Sequence, residues 1–490
     1  MPQLLDAAPY IEESIGNLTG VFSLVSYSAR GMLIRAGRTN EECLGNLSWV
    51  LDNLNPLSAA EYNGAASGLT LLPTAGALIG APAKELWIVY KLMPVAGVLT
   101  MCLSLGGTIM PSQAGQYDPK GAFDFGGILV SDRKARKEYA KLDEETKHNG
   151  QAQLFAEKVR ERADDQRGAN YGKIWLAVVM LLAFNVQIVV ILWYAERGAV
   201  IPWWCSFYGW MLIWYFLLTV SCLIDNTASN PFYQTWTIRV SRAPEIMEIS
   251  DRCPLLVTDS IEDDGAIIQN LRKGYNVDSR VVIPHSRSYA KSRVCFYVVV
   301  PQTGTSRWRA ALRIFSRGSN IASFAFGTTL FASSQLLSVS LALITIICTM
   351  VPAVLGRVLS MWIALEMNKH NKAILHAVVP THLEASKYLN AILKQKGLVF
   401  ETQGHIVVDG RVICRYNQWF SWSRYVGLLA PPFNIIKKAT SGYMTAVTAM
   451  PADGEPLSGP PGSSMKKSAT VRTTSAETLI NGQTGLEPSV

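Results

Sequence analysis

The stretch that most constrains the fold is residues 318–356, which contains no charged side chain. As one straight α-helix it would be about 60 Å long, roughly twice the 30 Å hydrocarbon core of a bilayer. A single crossing would leave half of it outside the bilayer, so we expect two crossings. The two membrane helices are predicted to occupy residues 319–365, which include the apolar residues that follow the stretch. The tight turn that joins them is placed near Ser333, Ser334 and Gln335.

Other apolar segments have the length of membrane helices, at 86–108, 174–195 and 203–224. Tryptophans stand near their edges, where the membrane interface favours aromatic side chains. Only AERGAVIP separates the second segment from the third, which predicts a helical hairpin. With 49% hydrophobic and 17% charged residues, the chain is also poorer in charge than a soluble protein, in which about a quarter are charged. The sequence predicts an α-helical polytopic membrane protein with about five transmembrane helices.

Lysine and arginine are concentrated in the connecting segments 109–173 and 225–318 and in residues 366–450. The positive-inside rule assigns these segments to the cytosol, where they would face anionic lipid headgroups. That assignment accounts for the net charge of +8 and the pI near 9.0 without a nucleic-acid partner. We therefore expect the lipid bilayer, with its anionic cytosolic headgroups, as a partner and no nucleic acid.

Residues 1–85 hold few basic side chains and are predicted to be exoplasmic. They contain the Asn-x-Ser/Thr acceptor patterns of the chain, at Asn17 and Asn46, which predict N-glycosylation. The first residues lack the positive charge and apolar run of a cleavable signal peptide. The chain is thus expected to be an integral protein of the secretory pathway or the plasma membrane.

A small cytosolic α/β domain is predicted from residues 225–318 joined to residues 366–450. SRVCFYVVVP and AILHAVV have the composition of strands, and HLEASKYLNAILKQKG has helical apolar spacing with Gly397 as its C-cap. Asp409 and Gly410 between two β-rich runs predict a hairpin. Residues 451–490 are rich in Pro, Gly, Ser and Thr, and are expected to be disordered.

Residues 62–83 are uncharged and crowded with Gly, Ala and Pro, which makes a poor helix by propensity. Two interpretations stay open. The segment is either a loop packed on the membrane helices or a re-entrant segment lining a polar pathway, since non-helical backbone survives at membrane depth only where protein or water satisfies it.

The most specific local signal is RWRAALRIFSR, directly before residues 318–356. On a helix Arg309, Arg313 and Arg317 form one stripe, and Trp308 lies on an apolar stripe beside it. A basic amphipathic helix that leads into a membrane span lies in the cytosolic interface, with its arginines on anionic headgroups. These four residues are the predicted lipid-binding site.

Small and polar residues inside the spans have roles of their own. Ser319, Ser323 and Gly327 recur at four-residue steps, a spacing that lets helix backbones approach closely in lipid. Asn185 lies near the middle of its span and is interpreted either as an interhelical hydrogen-bonding residue or, with Lys91, as part of a polar pathway.

The sequence gives no enzyme or metal signature. Its eight cysteines are scattered singly, without a CxxC, which indicates neither a zinc site nor a dense disulfide framework. Glu366 and His370 have the i, i+4 spacing of a pair of metal ligands on one helix face. They are better interpreted as solvated side chains next to the membrane. GxSxG, GxxxxGK[ST], HExxH and GxGxxG motifs are lacking, which argues against catalysis without excluding it, so an integral-membrane enzyme stays open as a third interpretation; no cofactor is expected.

Residues 71–107 and 324–364 resemble segments of multi-pass membrane proteins that are found across filamentous fungi and have no assigned activity. The resemblance covers about a sixth of the chain and implies no catalytic residue. The leading hypothesis for function is a non-enzymatic membrane scaffold or sensor that acts through cytosolic protein partners. The alternative is a channel or transporter for a small solute, using residues 62–83 and Asn185.

Overall fold

The structure is a computed structural model, and the chain is described at the following residues: 24–37, 39–79, 89–90, 93–106, 144–164, 170–228, 232–243, 248–249, 253–257, 266–272, 280–284, 293–301, 307–371, 376–378, 382–415, 422–427 and 446–450. Asn17, Lys91 and the predicted tail 451–490 lie outside these residues. Inside some helices and strands only the backbone is described.

Most of the described chain is helical. The helices are α1 Leu24–Arg35, α2 Asn40–Asp52, α3 Pro56–Leu69, α4 Leu71–Ile79, α5 Pro94–Leu103, α6 Glu144–Asp164, α7 Tyr171–Gly198, α8 Trp210–Ala228, α9 Ala266–Arg272, α10 Arg307–Ala332, α11 Val339–Asn371, α12 His382–Leu393 and α13 Trp422–Val426. The strands are β1 Phe232–Arg242, β2 Glu248–Ile249, β3 Arg280–Pro284, β4 Arg293–Pro301, β5 His376–Val378, β6 Leu398–Thr402, β7 His405–Val408, β8 Arg411–Arg415 and β9 Ala446–Met450.

Among the described residues, two helices are long and apolar enough to cross a membrane, α7 and the Val339–Ala364 part of α11. Only 28% and 39% of their most apolar windows are buried, whereas the core helix of a soluble protein would be mostly covered. The apolar helices α5 and Trp210–Asn226 are shorter. A mostly helical protein with candidate membrane spans is therefore confirmed, whereas a count of five spans is not.

The uncharged stretch 318–356 does not form one long helix. The chain leaves α10 after Ala332 and enters α11 at Val339, so the predicted break near Ser333, Ser334 and Gln335 is confirmed. In this turn the N–H of Gln335 donates to the carbonyl of Val200 instead of to a helix carbonyl, and Leu336 has a φ of 62°, in the left-handed region. Two helices therefore replace the single helix that the absence of charge alone would allow.

Three predicted segments differ from the observed helices. In the predicted span 86–108 the longest described helix is α5, whose ten residues rise about 15 Å, half of a bilayer core. In 203–224 the helix begins only at Trp210, after a 3₁₀ turn at Pro202–Trp204. Most of 62–83 is helical rather than a loop, because Pro73 lies in the first turn of α4, where no N–H partner is needed.

Helices α7, α8, α10 and α11 form a bundle with its own apolar core. At one end of the bundle lies a separate region with a smaller apolar core, which we call the cap. The cap consists of α1 to α3 with the connecting residues 199–209 and 333–338. Its core contains Ile34, Cys43, Leu47, Val50, Val200, Cys205 and Leu336. Val200 and Gln335 exchange backbone hydrogen bonds of 3.0 and 2.8 Å, so the two connections lie side by side.

The other end of the bundle carries a six-stranded sheet in the order β5-β4-β1-β6-β7-β8, antiparallel except for the β4–β5 pair. Strands β4 and β1, from residues 232–301, lie between β5 and β6, from residues 376–415, so the two predicted segments form one sheet. Helices α6, α9 and α12 share a core with one face of the sheet, including Trp236 and Phe400. Helix α6 belongs to 109–173, a contribution that the sequence analysis did not predict. A smaller sheet has the order β2-β3-β9.

The predicted hairpin joins β7 and β8, with Val408 opposite Arg411. Its two turn residues have φ of 48° at Asp409 and 76° at Gly410, as a type I′ turn requires. The Asp409 carboxylate also accepts a hydrogen bond of 3.1 Å from the backbone of Gly397, which ends the segment after α12 with φ of 77°. The hairpin is therefore confirmed, whereas Gly397 is not the helix cap: α12 ends at Leu393, and Gly397 lies four residues later in the turn that leads into β6.

Candidate functional site

Asn185 lies half-buried on α7 and contacts two neighbouring helices. Its Nδ2 donates to the carbonyl of Leu99 on α5 at 3.1 Å and to that of Leu181 at 2.8 Å. Its Oδ1 lies 3.3 Å from the hydroxyl of Tyr215 on α8, which also lies 3.2 Å from the carbonyl of Cys102. Both donors and the acceptor of this amide are thus engaged within the protein.

One of these contacts, from the Tyr215 hydroxyl to the carbonyl of Cys102, satisfies the last turn of α5, a helix that stops inside the bundle. The last carbonyls of an α-helix have no partner in the helix, and inside a membrane no water replaces one. Ser104 Oγ donates to Met101 O at 2.7 Å and lies 3.4 Å from Cys222 Sγ on α8. Directly afterwards Leu105 and Gly106 take positive φ of 49° and 86°, so the chain turns away. Asn185 therefore acts as an interhelical hydrogen-bonding residue that supports an interrupted helix.

A second polar cluster lies where the cap meets the bundle, and sequence analysis missed it. The carboxylate of Glu196 is fully buried and accepts hydrogen bonds from three backbone N–H groups at the start of α8: Gly209 at 2.8 Å, Trp210, and Met211 at 3.1 Å. A negative charge here also complements the positive end of the helix dipole. Glu196 therefore fixes the direction in which α8 begins.

Two arginines of α1 donate hydrogen bonds to backbone carbonyls at the end of α7 and in the connections of the bundle. Arg35 donates to the carbonyls of Glu196 and Arg197 at 2.9 Å each, and also to that of Ala199. Burial lowers the pKa of Arg35, and the nearby Glu196 carboxylate opposes this effect. Arg30 donates to the carbonyl of Leu336 at 2.6 Å. Together they tie α1 to both connections of the bundle.

The contact between α1 and the end of α7 is also sterically tight. The Tyr27 hydroxyl donates to the carbonyl of Ala195 at 2.6 Å, and burial raises the pKa of this phenol. A Cβ on Gly31 would overlap the carbonyl of Arg197, and one on Gly198 would overlap the Tyr27 ring. Because glycine lacks this atom, the two helices approach closely enough for the hydrogen bonds to form.

A disulfide between Cys43 on α2 and Cys205 in the connection 199–209 completes the cap, with a Cα–Cα distance of 5.7 Å. The sequence analysis did not anticipate it, because the two cysteines are 162 residues apart and no local spacing marks them. Cys253 and Cys414, in the part of the chain that forms the sheet, are buried.

The predicted lipid-binding helix is the first part of α10, continuous with the apolar part. Trp308 is 75% exposed, Ile314 73% and Phe315 66%, so a broad apolar face lies open. Arg317 is exposed, while Arg309 and Arg313 belong to the helix with side chains outside the described part. The exposed aromatic face fits an interfacial helix, and its binding to lipid remains a prediction.

The opposite side of α10 packs closely on α8 through the predicted small residues. Ser319 Oγ lies 2.7 Å from Ser221 Oγ, and the Trp214 indole donates to the carbonyl of Ser323 at 3.1 Å. A Cβ on Gly327 would overlap the same indole. The close approach predicted from the spacing of Ser319, Ser323 and Gly327 is confirmed.

The glycosylation sites were predicted at Asn17, which lies outside the described residues, and at Asn46. Asn46 is part of α2, and its Nδ2, the atom that would carry a glycan, donates to the carbonyl of Ile34 at 3.2 Å. Glycosylation at both sites stays a prediction, and attachment at Asn46 would require this hydrogen bond to break.

Among the side chains that the structure describes, no group of three or more His, Cys, Asp or Glu converges as a metal site would require. The polar clusters instead join helices to one another. No family model, curated protein or solved structure matches the chain.

Proposed function

We propose that the protein is a non-enzymatic integral membrane protein that acts as a scaffold or sensor through a cytosolic α/β domain. The observation that carries this proposal is how the domain is attached. Three neighbouring strands, β5, β4 and β1, are each directly connected in sequence to an apolar helix, α11, α10 and α8. The connections are four, five and three residues long. Because all three connecting segments are short, they restrict how the domain can move relative to the bundle.

The cap and the sheet support an orientation with the cap outside. The cap collects the segments predicted to be exoplasmic, and the sheet collects those predicted to be cytosolic. Disulfides persist in oxidising compartments and are rare in the cytosol, which fits the position of Cys43–Cys205 in the cap. This agreement is independent of the charge distribution from which the orientation was predicted.

The orientation is tested with sealed vesicles whose cytosolic face is outward. A protease should remove a tag placed after Val490, while a membrane-impermeant reductant should leave Cys43–Cys205 intact until detergent is added. A protected tag, or reduction of the disulfide in intact vesicles, would contradict the proposed orientation.

The scaffold or sensor role is tested by purifying the full chain in mild detergent and identifying cytosolic proteins that bind in a fixed ratio. The variant Trp236→Ala removes a fully buried ring from the sheet core and should abolish this binding while the bundle persists. The matched variant Trp308→Ala changes an exposed indole and should retain it. Absence of any bound protein from the wild type would contradict this function.

A channel or transporter for a small solute is the second candidate, and the interruption of α5 within the bundle favours it. Broken helices at membrane depth occur where transporters bind their substrates. Solute flux in reconstituted vesicles that falls when Asn185 is changed to Leu would support this alternative. Flux is not expected under the scaffold proposal, because the polar groups of Asn185 are engaged by Leu99, Leu181 and Tyr215.

A further inference from the structure

Three large aromatic side chains stay exposed in the connection between α7 and α8. Trp203 is 49% exposed, Trp204 58% and Phe207 40%. The rings of Trp204 and Phe207 have their centroids 6.4 Å apart, so they form one cluster. Cys205 is fully buried and bonded to Cys43, so this residue faces the cap core while the rings face outward. A cluster of exposed apolar side chains marks a surface that contacts a protein, a ligand or a membrane.

The connection folds back beside the helices and does not project beyond their ends. The ring of Trp203 lies 6.1 Å from that of Phe326, which comes six residues before the end of α10, about 9 Å along its axis. On the other side, the ring of Tyr208 lies 6.3 Å from that of Trp193, which comes five residues before the end of α7. The exposed rings therefore lie at the level of the last two turns of both helices.

The surface of α7 shows which environment this level has. Val186 and Val190 are exposed apolar residues of a candidate membrane span. Trp193 and Tyr194 follow one turn later and are half-buried, and the guanidinium of Arg197 lies 3.9 Å from the centroid of the Trp193 ring. This order, from apolar to aromatic to charged, is typical of a helix that passes from acyl chains into headgroups. In a bilayer that α7 crosses, the boundary between acyl chains and headgroups therefore lies at the level of Trp193.

We propose that residues 202–207 form an interfacial anchor, whose aromatic rings insert at the boundary between acyl chains and headgroups in the leaflet on the cap side. The proposal rests on the membrane location included in the proposed function. Tryptophan combines a large apolar ring system with an N–H donor, and this combination favours the boundary over both water and the acyl interior. Because the rings lie beside helices whose exposed faces the same bilayer covers, the partner is the bilayer and not a soluble protein.

The anchor gives the two tryptophans a role different from the one predicted from the sequence. They do not begin a span, because α8 starts only at Trp210. They hold the connection in the interface, and the bond from Cys205 to Cys43 joins that connection to α2. The cap is consequently held against the surface of the bilayer.

The test uses the full chain in nanodiscs of phosphatidylcholine, with one residue per variant replaced by the photoreactive p-benzoylphenylalanine. After illumination, mass spectrometry measures the yield of peptides that carry one phospholipid. Trp204→p-benzoylphenylalanine keeps an aromatic ring at an exposed position, and its lipid yield should be comparable to that of Val186→p-benzoylphenylalanine on the exposed face of α7. The matched control is Trp49→p-benzoylphenylalanine, an exposed tryptophan on the side of α2 that also carries Asp52 and Asn53, and its yield should be several-fold lower.

The outcomes that contradict the proposal can be told apart. Lipid adducts at Val186 but not at Trp204 would overturn the anchor and leave the membrane location intact. No adduct at either position would contradict the membrane location and with it the proposed function. Equal yields at Trp204 and Trp49 would overturn a selective anchor, because the whole cap would then lie in lipid. A crosslinked dimer from the Trp204 variant in place of a lipid adduct would assign the surface to a second copy of the chain.

Discussion

The cap and the α/β domain lie at opposite ends of the same helices and are stabilised in different ways. Among the described residues the cap core contains seven buried side chains, and the domain core contains nineteen. The cap adds a disulfide and the buried polar contacts of Arg30, Arg35 and Glu196. A small apolar core supplies little stability and usually requires such additional bonds, whereas a larger sheet core does not. Changes to apolar packing and to covalent bonds should therefore affect the two ends separately.

The largest expected effect is that of Trp236→Ala, which removes a fully buried ring at the centre of the sheet. Such a truncation costs about 3 to 5 kcal/mol. Hydrogen exchange followed by mass spectrometry should show β1, β4 and β6 losing protection, while α1 and α2 keep it. Equal loss of protection in the cap would show that the two ends unfold as one unit.

Cys43→Ser should affect the opposite end. Loss of a disulfide that closes a long loop destabilises by about 2 to 4 kcal/mol. Faster exchange is expected in α2 and in residues 199–209, with the sheet unchanged, and reduction of the wild type should reproduce the pattern. If neither treatment alters the cap, the polar contacts alone hold it.

Two glycines of α10 allow a comparison within the helices that join the ends. Gly327→Ala places a methyl group against the Trp214 indole, and overpacking of this kind costs about 1 to 3 kcal/mol. At Gly318 a methyl group meets no atom within 4 Å, so Gly318→Ala should stabilise the helix by about 0.5 to 1 kcal/mol. Thermal unfolding in detergent measures both, and similar midpoints for the two variants would contradict the close packing of α8 and α10.

The smallest expected effect is a pH dependence of the sheet. Burial lowers the pKa of His405 in β7, and the Arg415 charge on the paired strand lowers it further. The folded domain then binds fewer protons than the unfolded chain, so stability is complete above the unfolded pKa of about 6.5 and falls as the pH falls below it. Acidification from pH 7.5 to 5.5 should increase exchange in β7 and β8.

The variant His405→Gln should abolish this pH dependence, and His376→Gln in β5 serves as a control that changes another histidine of the same sheet. An unchanged pH profile in His405→Gln would assign the effect to a different group. The cap should respond little over this range, because all six histidines of the chain lie outside the segments that form it.

Features set by a few neighbouring residues could be predicted from the sequence. The turn at Asp409 and Gly410 follows from the positive φ that a type I′ hairpin needs, and the packing at Gly327 follows from small residues at helical spacing. The turn near Ser333 follows from the length of the uncharged stretch measured against a bilayer.

Features that depend on distant partners could not be predicted. Glu196 appears in the sequence only as part of a short polar link, and its burial depends on the N–H groups of residues 209–211. The short α5 was missed for the same reason, because apolar composition over 86–108 indicates where a segment partitions and not where its helix ends. Its last carbonyls accept hydrogen bonds from Ser104 and from Tyr215 on another helix, a partner that the local sequence does not indicate.

The Cys43–Cys205 bond also makes a covalent ring of the chain from residue 43 to residue 205. A single cut by a protease anywhere inside the ring opens it without releasing a fragment. The two pieces migrate together on a gel until a reductant separates them, whereas a cut after residue 205 separates them at once. Comparing digests with and without reductant therefore sorts every accessible site in the chain into those inside the ring and those beyond it.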